Sequence, residues 1–156
     1  MNDMSAPARS TGVLLHPTAL PGSPVCGSFG EPSRRWIHLL AKNNIGVWQL
    51  LPLAPPDGTG SPYNSPSCFA LNPWFLDADD LRRDGLISDE DFQKLPGSEE
   101  PSDSVGNLDL ELVQRRSYGI ADALLKGWAK QSKDRHQKFE IWCQQQRWLE
   151  DHAHFT

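Results

Sequence analysis

The segment Ser61-Pro62-Tyr63-Asn64-Ser65-Pro66-Ser67 gathers hydroxyl groups around one aromatic ring, a combination suited to a sugar. Tyr63 offers an apolar ring face to carbohydrate C–H groups and a phenol that donates to or accepts from a hydroxyl. Pro62 and Pro66 restrict φ at their own positions and bias Ser61 and Ser65 away from helix, so ring and hydroxyls have little entropy left to lose. Preorganisation of that kind favours binding. Ser, Pro and Asn also populate ordinary surface turns for purely conformational reasons. Taken alone, the loop reads as a turn, and its surroundings must decide.

Other chemically tempting residues are weaker. His16, between an apolar run and Pro17, either faces a sugar pocket or serves as a hydrogen-bond partner that fixes its loop, and both readings stay open. His152 and His154 are no metal pair, because positions i and i+2 of a helix point to different faces. Trp36, Trp48, Trp142 and Trp148 sit in apolar patterns and read as core rather than as sugar platforms; Trp74, beside Asn72-Pro73, is less easily placed. Asp79, Asp80, Glu99, Glu100 and Asp103 form acidic clusters expected on a solvated face. Cys26, Cys68 and Cys143 are widely spaced, without a Cys-x-x-Cys pair, and read as reduced thiols with neither a disulfide framework nor a zinc site.

The elements that must carry the loop can be read from periodicity. Val13–Leu15 and Val47–Leu51 are nearly continuous apolar runs, as expected for parallel strands covered by helices. Between them Pro32 suits an early helix position, Trp36, Ile37, Leu39 and Leu40 fall largely on one face, and Asn44 and Gly46 are stop signals. A right-handed crossover puts both strands' C-terminal ends on the same side, so the His16–Gly22 and Ala54–Ser67 loops leave one rim. Beyond Asn72, residues Asp77–Arg83 and Ser88–Leu95 are expected as short helices, the second opening with Ser88 and Asp91 at capping-box-like spacing. Residues 96–104 read as a solvated loop. Leu110, Val113, Ser117, Ile120 and Leu124 follow helical spacing, as do Phe139, Trp142, Cys143, Gln146 and Leu149.

Composition sets the class. With 38% hydrophobic and 22% charged residues and six tryptophans, the chain has material for a core. A formal charge of −5 argues against a nucleic-acid partner. There is no apolar run near the ~18 residues of a membrane helix, and Met1–Ser10 lacks a signal-peptide apolar core. A cytoplasmic protein without a membrane partner is the expectation.

Four blocks in order carry a resemblance: Leu14-Leu15-His16-Pro17-Thr18-Ala19-Leu20-Pro21-Gly22, Trp48-Gln49-Leu50-Leu51-Pro52-Leu53, Ser61-Pro62-Tyr63, and Asn72-Pro73. Together they resemble the N-terminal part of the 4-alpha-glucanotransferases, the amylomaltases or disproportionating enzymes of glycoside hydrolase family 77. Trp148-Leu149-Glu150-Asp151-His152-Ala153 looks like a fifth block. The resemblance implies an α/β fold, the N-terminal part of a (β/α)8 TIM barrel followed by a helical insertion. On that basis residues 1–8 are expected as a disordered leader, 9–75 as the start of the catalytic barrel, and 76–156 as a truncated helical insertion. Such a barrel typically needs about 250 residues, which makes this 156-residue chain an expected N-terminal fragment.

For the complete enzyme, the resemblance implies transfer of an α-1,4-glucan segment to a new 4-position by a retaining double displacement, with maltooligosaccharides and α-1,4-glucans as partners. Two carboxyls about 5–5.5 Å apart carry such a reaction. Neither strand end here bears an Asp or Glu, and Asp57 reads as a turn residue, so no catalytic residue is assigned and the chain alone is expected to be inactive. Ser61, Pro62 and Tyr63 match the family's donor-side triplet, Asn72 matches its Gly-Asn-Pro block, and His16 lies in the first block. No cofactor and no metal are implied. Gly60 stands where the family commonly has Asp, Leu71 where it has Gly, and Ala19 where it has Ser; residues 55–59 lack an aromatic that some members use for a second glucan contact. A non-catalytic carbohydrate-binding module and a helical interaction protein are the competing classes. A lone βαβ unit with open sheet edges is expected to be poorly soluble or molten.

Overall fold

The computed structural model describes residues 9–97 and 108–155. Strands β1 (Gly12–Leu14) and β2 (Val47–Gln49) pair in parallel, with Gly12 opposite Val47, Val13 opposite Trp48 and Leu14 opposite Gln49. Helix α1 (Glu31–Lys42) connects them. β2 is shorter than its apolar run, and β1 has the expected three residues but begins one residue earlier, at Gly12. Leu15 N still donates to Gln49 O at 3.2 Å, but the next donor from the β1 side of the ladder would be Pro17, which has no N–H, and Leu15 O accepts from the Trp48 indole instead.

The strands are also less covered than a continuous apolar run suggests. Leu14 is 55% and Val47 44% exposed, and on α1 Ile37 and Leu39 are about half exposed. Leu40 is buried, and Trp36 meets Trp48 edge-on with centroids 6.5 Å apart. A two-stranded sheet is too narrow to cover the rest of the helix's apolar stripe. Pro32 sits in the first turn of α1 as expected, and the helix ends where Asn44 turns left-handed at φ 56°.

Beyond residue 76 the chain is helical: α2 (Ala78–Arg83), α3 (Asp89–Gln93), α4 (Leu110–Trp128), α5 (Lys133–Gln145) and α6 (Leu149–Phe155). Asp77, Ser88, Asp109 and Ser132 each accept a backbone N–H three residues on, from Asp80, Asp91, Leu112 and Arg135. Such caps satisfy donors that a helix start leaves open. The Ser88 hydroxyl also donates to the Asp91 carboxylate at 2.7 Å, closing a capping-box variant through side chains.

The core lies here and not on the sheet. Ala78, Ile87, Leu95, Ile120 and Ala123 form a buried cluster with Leu81, Phe92 and Leu124 packed against it. On α4, the spaced residues Val113, Ser117 and Ile120 are buried as their period demands. Gly127 lets α4 approach the α2–α3 turn, since a Cβ there would collide with the Leu86 carbonyl.

Two expectations fail in this half. The apolar period from Phe139 to Leu149 is not one helix: Gln146 leaves helical geometry at φ −101°, ψ 87°, and α6 starts afresh at Leu149. Nor is Trp142 core. It is 44% exposed, stacked on Phe139 with centroids 6.0 Å apart, and α5 has no buried residue among the described ones. Helical spacing aligns a face without supplying an element to cover it. The leader at residues 1–8 and the acidic residues Glu99, Glu100 and Asp103 lie outside the described residues.

Candidate functional site

Because β1 and β2 are parallel, the loops that follow them start from the same edge. Trp48 Nε1 donates to Leu15 O at 2.8 Å and pins the two strands together at that edge. The second loop is organised by a carboxylate that reads in the sequence only as a turn residue. Asp57 Oδ1 accepts from Thr59 N (2.9 Å), Thr59 Oγ1 (2.6 Å) and Ser61 N (3.1 Å), while Oδ2 accepts from Asn64 Nδ2 (2.8 Å). These donors hold the carboxyl ionised, far below the usual carboxylate range, the Thr59 hydroxyl contributing most. The spacing Asp-x-Thr-x-Ser was the available signal, since Asx turns bond the backbone two residues on.

Within that frame Ser61 Oγ accepts from Tyr63 N at 3.4 Å, and Tyr63 is 73% exposed. An aromatic side chain of that exposure makes little packing contribution and leaves its ring available to a ligand. Beyond it Ser65 Oγ donates to Ser67 O at 2.7 Å and Ser67 Oγ accepts from Ala70 N at 3.1 Å. The later serines therefore stiffen the loop through hydroxyl-to-backbone bonds.

His16 and Asn72 are built into the scaffold. His16 Nδ1 lies 2.9 Å from Thr18 Oγ1, and its ring packs on Phe75 with centroids 5.5 Å apart. Burial pushes its pKa below the ordinary value, opposed by the Pro52 carbonyl; Nε2 is buried without a hydrogen bond among the described residues. Asn72 is 6% exposed; its Oδ1 accepts from Trp74 N at 3.0 Å and caps the 3-10 turn Pro73–Phe75, while its backbone N–H donates to Leu53 O at 3.3 Å. It also lines a 220 Å³ groove between residues 55–60 and α4, with Trp74, Gln114 and Tyr118 on the walls. Neither a hydrogen bond nor a ring contact joins Tyr63 to His16 or Asn72 among the described residues.

The loops reach the helical half through Asp77. Besides capping α2, it accepts from Ser28 Oγ at 2.6 Å, and its carboxylate stands where a Gly30 Cβ would be, at the N-terminus of α1. A negative charge is favourable there. Asp80 is not merely solvated: Arg34 grips it with two bonds of 2.8 and 2.9 Å, and Arg83 pairs with it as well. Among the described residues no cluster of His, Cys, Asp and Glu has the makings of a metal site. Likewise no described helix is long and apolar enough to cross a membrane.

Comparisons with known proteins bear on the family and the fold. Residues 15–156 match a family model described as 4-alpha-glucanotransferase. The chain is 32% identical over 149 residues to a 4-alpha-glucanotransferase of Synechocystis sp., covering 94% of this chain and 28% of that protein. It is 34% identical to the chloroplastic/amyloplastic enzyme of Arabidopsis thaliana, over 95% of this chain and 25% of that one. The amylomaltase from Streptococcus agalactiae, solved in complex with acarbose, superposes with a TM-score of 0.79 at 28% identity, over 94% of this chain and 29% of that one. The chain thus spans about a quarter of the length of the curated relatives it matches. A match from the His-Pro loop through the last helix, shared by sequence and by fold, places the chain in the 4-alpha-glucanotransferase family, glycoside hydrolase family 77.

Proposed function

We propose that this chain supplies part of the glucan-binding rim of a 4-alpha-glucanotransferase, an enzyme that moves a segment of an α-1,4-glucan to the 4-hydroxyl of glucose or of another glucan. The observation that carries the reading is the exposed Tyr63 ring held on the Asp57-organised loop, in a chain whose fold matches an amylomaltase in complex with acarbose. Maltooligosaccharides and α-1,4-glucans are the proposed partners. Residues 9–75 are the start of a (β/α)8 barrel and residues 76–156 a helical insertion in this reading, and the protein works in the cytoplasm. The curated relatives are roughly four times as long as the matched segment, which leaves room for a complete barrel.

In the retaining reaction a carboxylate attacks the anomeric carbon as a second carboxyl protonates the departing glucan oxygen; the second group then takes the proton of an acceptor sugar hydroxyl, which attacks the anomeric carbon in place of water and displaces the carboxylate. None of the described residues takes either carboxyl role; Asp57 is consumed by its four hydrogen bonds. What this chain contributes is placement. Tyr63 stacks on a sugar ring and Ser61 presents a hydroxyl from a loop already ordered, so binding spends little on fixing the loop. His16 and Asn72 hold the neighbouring turns, and Asn72 adds a polar wall to the groove.

The test is disproportionation of maltotriose into glucose and longer maltooligosaccharides by the full-length protein. Tyr63→Ala is expected to weaken maltotriose binding at least about tenfold, with Tyr63→Phe intermediate, since each hydrogen bond or aromatic contact is worth on the order of 1 kcal/mol. Undiminished turnover in Tyr63→Ala would remove the loop from the sugar site. Turnover by residues 1–156 alone would show that the catalytic carboxyls lie within them after all.

A further inference from the structure

Asp57 reaches both flanks of the Ser61-Pro62-Tyr63 triplet with one side chain. Oδ1 gathers Thr59 and Ser61 on the near side, and Oδ2 takes Asn64 on the far side. The backbone of the same residue closes the turn, with Gly60 N donating to Asp57 O at 3.0 Å and Asp57 N to Ser61 O at 3.4 Å. A carboxylate suits this post because it is acceptor-only and has enough lone pairs for every donor that converges on it. No cation pairs with it among the described ion pairs, so its charge is answered by neutral N–H and O–H dipoles. A side chain at the position next to Ser61 would be strained in this chain: Gly60 has φ 80°, in the left-handed region, and a Cβ there, 2.8 Å from Leu110 Cδ2, would make that side chain shift. The carboxylate therefore comes from three residues upstream.

We infer that Asp57 is a positioning residue for the sugar loop, fixing the orientation of Tyr63 toward a glucan by tying Ser61 and Asn64 to one carboxylate. This deepens the proposed function and rests on it. Asp57 touches no substrate in this role; it acts through the two residues that bracket the ring. An ordinary turn residue would affect stability alone, whereas a positioning residue sets sugar affinity with the fold intact.

The pair Asp57 and Asn64 permits a reciprocal exchange in the full-length protein. Asn64→Asp sets two carboxylates against each other; it is expected to raise the Kd for maltotriose at least about tenfold and to speed amide hydrogen exchange at Thr59 and Ser61. Asp57→Asn is mild, about threefold or less, because an amide still accepts from Thr59 and Ser61 and a flipped Asn64 accepts from it. The double variant restores affinity to within about threefold of wild type, the amide introduced at 57 donating to the carboxylate introduced at 64. Thr59→Val, which deletes one donor and keeps its N–H, gives a loss of about threefold. Circular dichroism and the melting midpoint stay near wild type throughout. Tyr63→Ala run alongside separates the two ideas: if it leaves maltotriose binding intact, the sugar-loop reading fails, whatever the exchange rates show. If Tyr63→Ala loses binding while Asn64→Asp changes neither exchange nor affinity, or if the double variant does not recover, the positioning role of Asp57 is overturned.

Discussion

Residues 12–75 and residues 77–155 are stabilised by different physics. The first region has a three-residue strand pair, half-exposed apolar side chains, and loops closed by side chain-to-backbone bonds around Asp57, Ser65, Ser67 and Asn72. The second has the buried cluster of Ala78, Ile87, Leu95, Ile120 and Ala123, and helices started by four capping side chains. Chemistry-bearing groups are concentrated where the apolar core is thin. Local polar bonds can hold a loop in one shape while leaving its ring in water, which packing in a core would cover. Asp77 and the Arg34–Asp80 pair join the regions, so the helical core can anchor what the small sheet does not.

The contrast breaks if the helical core does not dominate stability. Ile120→Ala, at a side chain 3% exposed, is expected to cost about 2–5 kcal/mol by denaturant unfolding, from lost burial plus a cavity. A cost under about 1 kcal/mol would mean that the cluster is not the stabilising centre. The junction comes next. Asp77→Ala removes the cap of α2, leaves the Ser28 hydroxyl without its acceptor and takes a charge from the start of α1, for an expected loss of about 2 kcal/mol. Unaltered stability would show that the two regions do not lean on each other there.

A pH measurement sharpens the same boundary. Cys26 lines a small cavity at the junction with Arg116 and Asp77, and burial pushes its thiol up from 9.0 to about 12, against the nearby Arg116 charge. The neutral thiol is therefore the form the fold prefers. Its stabilising contribution is complete below about pH 9 and is lost as pH climbs toward 12. At pH 8, a thiol reagent should modify exposed Cys68 rapidly and the half-buried Cys26, held as the neutral thiol, much more slowly. Equal rates at the two would place water inside the junction. The smallest effect belongs to the surface pairs: Arg34→Ala should move the melting midpoint by no more than the difference that added salt produces in the wild type.

Much of this was legible in the chain. Ser88 with Asp91, Pro32 in the first turn of α1, and the Val113, Ser117, Ile120 period of α4 all have local causes, since capping and helical spacing act within a few residues. β2 stops at Gln49, short of its apolar run, because the ladder meets Pro17 beyond the partner strand, far away in sequence. Trp142 misled because a helical period is the same whether or not another element covers it. Asp57 was visible as a turn former, but its hold on Asn64 was not, because that bond exists only after the chain has turned around Pro62.

By itself, then, the order of residues determined the family, the cap at Ser88 and the loop carrying the triplet Ser61-Pro62-Tyr63, because motif spacing and backbone restriction are local properties. Tertiary structure alone decided that the core sits among α2, α3 and α4, that Asp77 serves two helices at once, that His16 and Asn72 brace their turns, and that one carboxylate orders the loop from both sides. The core, the double role of Asp77, the His16–Phe75 packing and the Asn72–Leu53 bond need groups distant in sequence to meet at atomic distance, while the shorter-range bonds of Asp57 need the chain to have turned, and only the folded chain supplies both.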